Sequence, residues 1–363
     1  MFLTIILLLA VAVFLFLQQP MFGKLPSGER LEMVKQSPNY KNGAFQNLSP
    51  TPDLTEGASY YEVGKEFLFG NKKRRLPNGK IPSVKTDLRN LDPKKDILVW
   101  FGHSSYFMQI DGKRILVDPV FCGSASPIPF GTKAFDGTDI YNVADMPDKI
   151  DYLFISHDHW DHLDYQTVKA LKPRIKTVIC GLGVGEHLEH WGYDQEKIIE
   201  KDWNEIIVLG NGFRVHTVPA RHFSGRGILR NKALWMSYVL QTPTMRIFIG
   251  GDSGYDTHLA EIGNKFGPFD WAILENGQYD VNWRYVHFLP NEILRAALEL
   301  KAKRILPVHS AKFVLANHAW DEPLAKIVEN NKTANLTILT PMIGEEVRLK
   351  DKTQTFSNWW EIV

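Results

Sequence analysis

A stretch of ten residues, 155–164, holds three histidines and three carboxylates directly after an apolar run of the kind that forms a buried strand. A helix would scatter these side chains around its axis, whereas a loop leaving a strand can turn alternate residues toward one point. Imidazole nitrogens and carboxylate oxygens are ligands that zinc accepts readily. We therefore expect His157 and His159 to bind one ion, and Asp161 and His162 to bind a second ion beside it. A solvated polar turn, the alternative, suits a lone histidine better than this pattern.

The further ligands that two ions need should lie where other strands end, because one short loop cannot complete both coordination shells. His222, Asp252 and His309 each follow an apolar, strand-like run. Two glycines precede Asp252 and would let the backbone pass close to a metal. Each of the three residues alone is typical of a cap or a turn. Together with the central loop they complete seven ligands, which suits a two-metal site.

The elements that must position these residues begin near residue 97, where short β-rich runs alternate with turn residues. Strand candidates are residues 97–101, 106–110, 114–117, 152–155, 177–180, 206–209, 213–218, 235–240, 246–249, 271–274, 304–308 and 336–339. Helix candidates are residues 165–171, 257–266, 291–301 and 322–330. Strands interleaved with helices predict mixed α/β sheets covered by helices. We place this catalytic domain at residues 91–350, followed by a tail at 351–363.

The amino-terminal residues 2–17 form an unbroken apolar run. As a helix it would rise about 24 Å, somewhat less than a hydrocarbon core of about 30 Å. No lysine or arginine precedes Lys24, and the run ends in Gln-Gln-Pro, so we interpret residues 1–20 as an uncleaved membrane anchor rather than a cleaved signal peptide. The cations that follow predict a cytoplasmic catalytic domain. Residues 21–90, rich in Pro, Gly, Asn, Lys and Ser, are expected to form a linker and an irregular arm.

Composition and charge limit the classes of function. The chain has 363 residues, of which 44% are hydrophobic, enough for a substantial core. Its formal net charge of +1 argues against a nucleic-acid partner, since such proteins carry a large basic excess. Cys122 and Cys180 are too few for a disulfide framework.

The order of the candidate ligands resembles the metallo-β-lactamase superfamily. That resemblance implies an α/β protein, an αβ/βα sandwich with two metals at one edge of the paired sheets. Flanking segments resemble a narrower group, the N-acylphosphatidylethanolamine-hydrolysing phospholipase D enzymes and their bacterial relatives. These segments are residues 100–104, 118–121, 126–127, 156–163, 250–255, 266–270 and 313–317. The resemblance covers about residues 95–347.

The resemblance also implies a role for each candidate ligand. The implied zinc ligands are His157, His159 and His222 for the first ion, Asp161, His162 and His309 for the second, and Asp252 bridging both. Relatives with a redox di-iron centre carry Glu in place of His159, so the resemblance favours zinc hydrolysis. His287 matches a family histidine near the reacting phosphate and would act in catalysis with Asp252. An interior histidine without a catalytic role is the alternative for His287.

The chain departs from the phospholipase group close to the inferred site. Where that group has Pro-Ile-Gly-Ala-Tyr, this chain has Leu-Glu-Asn-Gly-Gln-Tyr at residues 274–279, so we predict substrate-binding roles for Glu275, Gln278 and Tyr279. Ser-Ala-Lys at 310–312 replaces the expected Trp-Gly-Thr. Asp118 and His103 would either orient a metal ligand or cap a turn, and both readings stay open.

The resemblance predicts a phosphodiesterase with two zinc ions per chain, which hydrolyses N-acylphosphatidylethanolamine or a related phospholipid to phosphatidic acid and an N-acylethanolamine. Its partners would be this lipid and a membrane surface reached through the anchor. No nucleic-acid partner is expected, and a homodimer stays open. One alternative is a two-metal hydrolase of another ester, lactone or cyclic phosphodiester, because one fold serves many substrates. A second alternative is a membrane-anchored binding or scaffold protein.

Overall fold

The computed structural model describes residues 2–70, 74–128 and 130–363. Within them the chain forms two seven-stranded sheets, a small two-stranded sheet and eight α-helices. The strands are β1 Tyr40–Lys41, β2 Ala44–Phe45, β3 Ile97–Trp100, β4 Tyr106–Ile110, β5 Lys113–Val117, β6 Ile150–Phe154, β7 Ile175–Gly181, β8 Ile198–Lys201, β9 Ile206–Gly210, β10 Phe213–Val218, β11 Ser237–Gln241, β12 Arg246–Ile249, β13 Trp271–Glu275, β14 Arg304–Val308, β15 Thr337–Ile338 and β16 Glu346–Arg348. The helices are α1 Phe2–Leu17, α2 Gly28–Gln36, α3 Tyr60–Phe69, α4 Tyr165–Leu171, α5 Val184–His190, α6 His258–Phe266, α7 Glu292–Glu299 and α8 Glu322–Ala334.

The two large sheets share one mixed topology. The first sheet has the order β16-β3-β4-β5-β6-β7-β8, and the second has the order β15-β14-β13-β12-β11-β10-β9. In the first, β16 to β5 pair antiparallel and β5 to β8 pair parallel. In the second, β9 to β12 pair antiparallel and β12 to β15 pair parallel. Each sheet therefore joins an antiparallel half to a parallel half.

Apolar side chains of both sheets meet in one central core. Val117 of the first sheet and Val215 of the second belong to the same buried cluster. On the outer face of the first sheet, α4 and α5 bury side chains such as Val168 and Leu188. On the outer face of the second sheet, α6, α7 and α8 pack in the same way. The layers form an αβ/βα sandwich, so the predicted fold class is confirmed.

Burial on both faces explains why the central strands appear in the sequence as continuous apolar runs. In β12, Ile247 and Ile249 face the core between the sheets, whereas Phe248 faces the helices. The sequence pattern predicted the bounds of β4, β10, β12, β14 and α4 as the structure has them. Shorter edge elements such as β8 and β16 were not predicted, because two to four residues carry little periodicity.

The segment at 21–90 differs from the expected linker and irregular arm. It contains α2, α3 and the β1–β2 hairpin. Val34 and Phe45 are fully buried in the central core, and the backbone N–H of Phe45 donates to Asn231 at 2.8 Å. Apolar anchors spaced along the segment therefore hold it on the catalytic domain.

The apolar run at the amino terminus forms α1, and none of its sixteen residues is buried. Among the described residues, no helix is both long and apolar enough to cross a membrane. The structure therefore does not show the membrane-spanning anchor that we predicted from the sequence of residues 1–20.

Candidate active site

The candidate ligands follow the carboxyl ends of neighbouring strands. The loop after β6 carries residues 157–162, and Asp252 and His309 come shortly after β12 and β14. β10 runs in the same direction as β12, because each pairs antiparallel with β11, so His222 emerges at the same edge. Strand ends that share an edge bring residues far apart in sequence close together in space.

Three histidines predicted to bind the first metal lie together. Nε2 of His157 is 2.9 Å from Nδ1 of His159, and Nε2 of His222 is 3.3 Å from the same atom. The ligand atoms of these three residues lie within 4.8 Å of one another. This spacing suits a single ion between them.

Asp252 lies between this group and the ligands predicted for the second metal. Its Oδ2 is 3.1 Å from Nε2 of His162 and 3.7 Å from Nε2 of His222, while its Oδ1 is 3.2 Å from Nδ1 of His309. Asp161, His162 and His309 form a second cluster whose ligand atoms lie within 4.8 Å of one another. The structure thus brings all seven candidate ligands to one place.

The chemistry of these donors fits metal ions. Nε2 of His162 and Oδ1 of Asp252 are buried and make no hydrogen bond. Burial lowers the pKa of His157, His222 and His309 well below the usual range, which keeps their rings neutral and able to bind a metal. Buried polar atoms without a partner destabilise the folded protein unless an ion or a water molecule binds to them. The cluster is therefore suited to divalent cations.

His162 and Asp252 are electrostatically linked. Burial lowers the pKa of His162, but the negative charges of Asp252 and Asp161 outweigh it and raise the pKa well above its usual value. Burial raises the pKa of Asp252 to about 6, although His162 opposes this shift. Without a metal, His162 therefore favours its protonated, positively charged form, and a bound cation would take the place of that charge.

Buried side chains next to the candidate ligands fix the orientation of those ligands. Asp118 accepts the backbone N–H of Ser156 at 2.8 Å and lies 2.8 Å from Nδ1 of His162, which turns Nε2 of that ring toward Asp252. Its φ of 41° is left-handed, a backbone conformation that is uncommon for residues other than glycine. Of the two readings that the sequence left open for Asp118, the geometry favours orientation of a ligand.

His103 is part of the site more fully than the sequence indicated. Its Nε2 lies 2.8 Å from Oδ2 of Asp161, and its ring lies 4.0 Å from that of His309. Its φ of 52° is also left-handed, and its buried Nδ1 makes no hydrogen bond. The sequence left open whether His103 orients a metal ligand or caps a turn, and its contact with Asp161 favours the first of these. His103 positions Asp161 and belongs to the same cluster of possible metal donors.

The three residues predicted to bind substrate differ in whether they line the cavity of the site. Glu275 is buried beneath His287 and does not line the cavity of the site. Tyr279 donates its hydroxyl to Glu322 at 3.0 Å and also lies outside the cavity lining. Gln278 does line the cavity, and its side chain holds the 313–315 segment through Phe313 and Leu315. Of the three, only Gln278 is therefore placed to contact a substrate.

A cavity of about 330 Å³ opens over the candidate ligands, and His287 lines it. Part of its wall comes from the segment that the sequence suggested was a linker, through Asp53, Leu54, Tyr60 and Val63. This segment is fastened beside a ligand, because the side-chain amide of Asn47 both donates to the carbonyl and accepts from the N–H of His222. Arg230 and other cavity residues were likewise missed, because contacts across more than a hundred residues leave no local pattern.

Comparisons with known proteins agree with this picture. A family model described as Beta-lactamase superfamily domain matches residues 113–310. An uncharacterized protein of Mycobacterium tuberculosis (strain ATCC 25618 / H37Rv) is 36% identical over 335 residues, 90% of this chain and 88% of that protein. N-acyl-phosphatidylethanolamine-hydrolyzing phospholipase D 1 of Caenorhabditis elegans is 29% identical over 245 residues, 63% of this chain and 68% of that protein. The solved structure of Igni18, a metallo hydrolase from Ignicoccus hospitalis, matches with a TM-score of 0.52 at 18% identity, over 70% of this chain and 98% of that one.

The fold, the clustered histidines and carboxylates, and these relatives together define a metal-dependent hydrolase. The chain belongs to the metallo-β-lactamase superfamily. This result sets aside the alternative of a non-catalytic scaffold.

Proposed function

We propose that the protein is a zinc-dependent phosphodiesterase that cleaves N-acylphosphatidylethanolamine, or a related phospholipid, into phosphatidic acid and an N-acylethanolamine. The observation that carries the proposal is His287, a histidine outside the seven candidate ligands that lines the same cavity as Asp161 and Asp252. Such a group can protonate the alkoxide that leaves phosphorus. The similarity to a Caenorhabditis elegans phospholipase D named for this substrate supports the choice.

The seven candidate ligands would hold two zinc ions, the first at His157, His159 and His222. The second would be held by Asp161, His162 and His309, with Asp252 shared between them. The closeness of Asp252 to His157 and His162 in one cluster, and to His309 in another, supports this division. Bound zinc would supply a water made nucleophilic at neutral pH and would offset negative charge on the phosphoryl oxygens.

The chain's own residues would orient the substrate and move the proton. The carboxyl group of Glu275 holds Nδ1 of His287 at 2.6 Å, which leaves Nε2 to donate a proton to the departing alkoxide. Leu54, Val63 and Trp283 line the cavity and would contact the apolar part of a lipid and exclude water.

We further propose that α1 holds the enzyme at a bilayer surface. Its sixteen residues are apolar or weakly polar, and none is buried against the rest of the chain. Exposed apolar surface on this scale is typical of a site that binds a membrane or another protein. A lipid substrate makes the membrane the fitting partner, because α1 would then keep the active site close to it.

A two-metal hydrolase of another ester, lactone or cyclic phosphodiester remains the second candidate. The donor set and the cavity do not by themselves select phosphorus over carbon as the centre attacked. The positive charge of Arg230 in the cavity wall favours an anionic substrate over a neutral ester.

The test is hydrolysis of N-acylphosphatidylethanolamine in detergent micelles by wild type and Asp252→Asn, with zinc content measured on the same samples. Release of phosphatidic acid by wild type alone, with about two zinc ions per chain, is the expected result. Two bound zinc ions without release of phosphatidic acid would support a metal-dependent hydrolase that acts on a different substrate. Absence of bound metal would overturn the proposal.

A further inference from the structure

Arg230 carries a positive charge into the active-site cavity. Of the described residues that line this cavity, it is the only lysine or arginine. Its guanidinium carbon lies 4.0 Å from the ring centre of Phe223. The Phe223 ring in turn stacks on His222 with centres 4.6 Å apart and lies 4.4 Å from the ring of His159. One aromatic ring therefore separates the guanidinium from two candidate ligands of the first metal.

The present partner of Arg230 is a carboxylate that also lines the cavity. Nη1 of Arg230 donates to Oδ2 of Asp53 at 2.8 Å, and the hydroxyl of Tyr60 donates to the same oxygen at 2.9 Å. The Arg230 and Asp53 side chains are 39% and 50% exposed. An ion pair so exposed to water contributes little to stability, so its partners can exchange readily. A guanidinium can donate two parallel hydrogen bonds to a phosphate group, a stronger arrangement than the single bond seen here.

The segment that carries Asp53 does not depend on this ion pair for its position. The backbone N–H of Thr55 donates to Asn282 at 2.7 Å, and the hydroxyl of Thr55 donates to Val281 at 2.6 Å. Two residues before Asp53, the hydroxyl of Thr51 accepts from Nε of Arg221 at 3.0 Å. The wall of the cavity is thus fastened on both sides of Asp53, which leaves Arg230 free for another role.

We propose that Arg230 is a specificity-determining residue that leaves Asp53 to bind the phosphate oxygens of the substrate, with Asp53 as its counter-ion in the empty cavity. The choice of a phosphate as the anion rests on the proposed phosphodiesterase function. This arrangement favours anionic substrates over neutral esters, because only an anion can replace the ion pair that Arg230 loses when it leaves Asp53.

The test is binding of inorganic phosphate to the zinc-loaded protein, measured by calorimetry for wild type, Arg230→Gln, Asp53→Asn and the double variant. Loss of a hydrogen bond to a charged group should raise the Kd of Arg230→Gln about tenfold. Asp53→Asn releases the guanidinium and should lower the Kd about threefold, the size of a surface ion pair. In the Arg230→Gln background, Asp53→Asn should have little effect, because its action runs through Arg230.

Lys232→Gln is the matched control, since it removes a positive charge two residues away on a side chain that donates to Gly43 and does not line the cavity. It should leave phosphate binding unchanged. If Arg230 only tethers the wall, Arg230→Gln and Asp53→Asn will change the Kd in the same direction, and that result would overturn the proposal. An unchanged Kd in Arg230→Gln with normal zinc content would overturn it as well.

The same variants separate this inference from the proposed function. With bis(p-nitrophenyl) phosphate, Arg230→Gln should raise KM and leave kcat nearly unchanged, whereas with the neutral ester p-nitrophenyl butyrate both should stay as in wild type. If wild type cleaves no phosphodiester but the phosphate Kd values follow the expected pattern, the proposed function fails and Arg230 still binds the anion. If wild type cleaves the phosphodiester but the phosphate Kd is unchanged in Arg230→Gln, the proposed function stands and the role of Arg230 fails.

Discussion

Oε2 of Glu275 lies 2.6 Å from Nδ1 of His287, and the other oxygen of this carboxyl group accepts the backbone N–H of Phe288 at 2.6 Å. The Glu275 side chain is almost wholly buried, whereas that of His287 is 12% exposed and lines the cavity. A carboxyl group fixed by the backbone therefore sets the orientation of a ring that lines the cavity. This is the arrangement expected of a general acid and the residue that positions it.

Replacement of His287 by alanine separates metal binding from chemistry. Because His287 lies outside the seven candidate ligands, His287→Ala should retain its zinc while kcat falls about 100-fold, the contribution of a positioned general acid. Turnover and zinc content should be measured on the same preparation. His190→Ala, at an exposed position at the end of α5, is the control and should behave as wild type. Normal turnover by His287→Ala would remove His287 from the mechanism, and loss of zinc would make it a ligand instead.

Glu275→Gln should change how stability depends on pH. Burial raises the pKa of Glu275 well above its ordinary value of 4.5, although the N–H of Phe288 opposes the shift. The folded protein therefore keeps this proton at a pH where the unfolded chain has lost it, so the free energy of unfolding falls as pH rises above that ordinary value. Glutamine has no such proton, so the fall should be shallower in the variant.

The measurement is urea unfolding of the zinc-free protein between about pH 5 and about pH 8, the range over which a raised carboxyl pKa acts. Groups distant from Glu275 titrate alike in both proteins and cancel in the difference between the two curves. Glu275 also raises the pKa of Asp252, so this second shift shrinks in the variant and makes its fall shallower in the same direction. If the free energy of unfolding of Glu275→Gln falls with pH as steeply as that of wild type, or more steeply, burial does not raise the pKa of this carboxyl group.

The sequence predicted that the candidate ligands lie together, but it did not predict their surroundings. Strand ends can be recognised from apolar runs, and carboxyl ends of parallel strands share an edge, so the gathering of His157, His222 and His309 followed from local patterns. The position of Glu275 did not follow, because it depends on which way the last side chain of β13 points within the sheet. Knowledge of the neighbouring strands is needed to decide that direction.

The sequence did not predict that residues 21–90 contribute to the cavity wall, and the reason is similar. Residues 21–90 have weak periodicity and many turn residues, which are typical of a linker. Their order comes from contacts distant in sequence, such as the pairing of Asn47 with His222 and that of Asp53 with Arg230. Single-sequence patterns report local preferences, so contacts of this kind can be found only from the folded chain.

Zinc should stabilise the folded protein through Asp252. This carboxylate lies within 4 Å of nitrogens of His157, His162, His222 and His309, so it joins the two groups of ligands. At zinc concentrations about 100 times the Kd, binding should add about 2.7 kcal/mol to the free energy of unfolding. Asp252→Asn should lose most of this gain, while Asp148→Asn on the surface should keep it. Urea unfolding with zinc and with a chelator gives the comparison, and equal gains in both variants would exclude a bridging role.

Arg226 links the amino-terminal segment to the loop at residues 157–162, which carries four of the candidate ligands. Its side chain donates to the carbonyl groups of Asp158 at 2.8 Å and Leu163 at 2.6 Å, and also to that of Met21 at 2.9 Å. The guanidinium carbon lies 4.0 Å from the ring centre of Trp160 within the same loop. Arg226→Met should destabilise the protein by about 3 kcal/mol, because buried carbonyl groups lose their donors. It should also weaken zinc binding at least about tenfold, as expected when a group that orients ligands is lost.

Arg174→Met separates general destabilisation from an effect on the metal. Arg174 also donates to two backbone carbonyls, those of Val143 and Met146, but it does not contact the ligand loop. It should lower stability without changing zinc affinity, measured by competition with a chromophoric chelator. If Arg226→Met and Arg174→Met retain the same zinc affinity, Arg226 serves only the fold.

Membrane binding should depend on α1. The ring of Phe16 packs on Phe22 with centres 5.2 Å apart, and Phe22 packs on Trp160 at 5.1 Å, so the end of the helix is joined to the loop that carries candidate ligands. Deletion of residues 2–17 should abolish flotation with phosphatidylcholine vesicles and leave turnover of a soluble phosphodiester nearly unchanged. Because charges are costly in an apolar environment, Val11→Lys with Phe14→Lys should have the same effect as the deletion. Flotation that survives both changes would place the lipid-binding surface elsewhere on the chain.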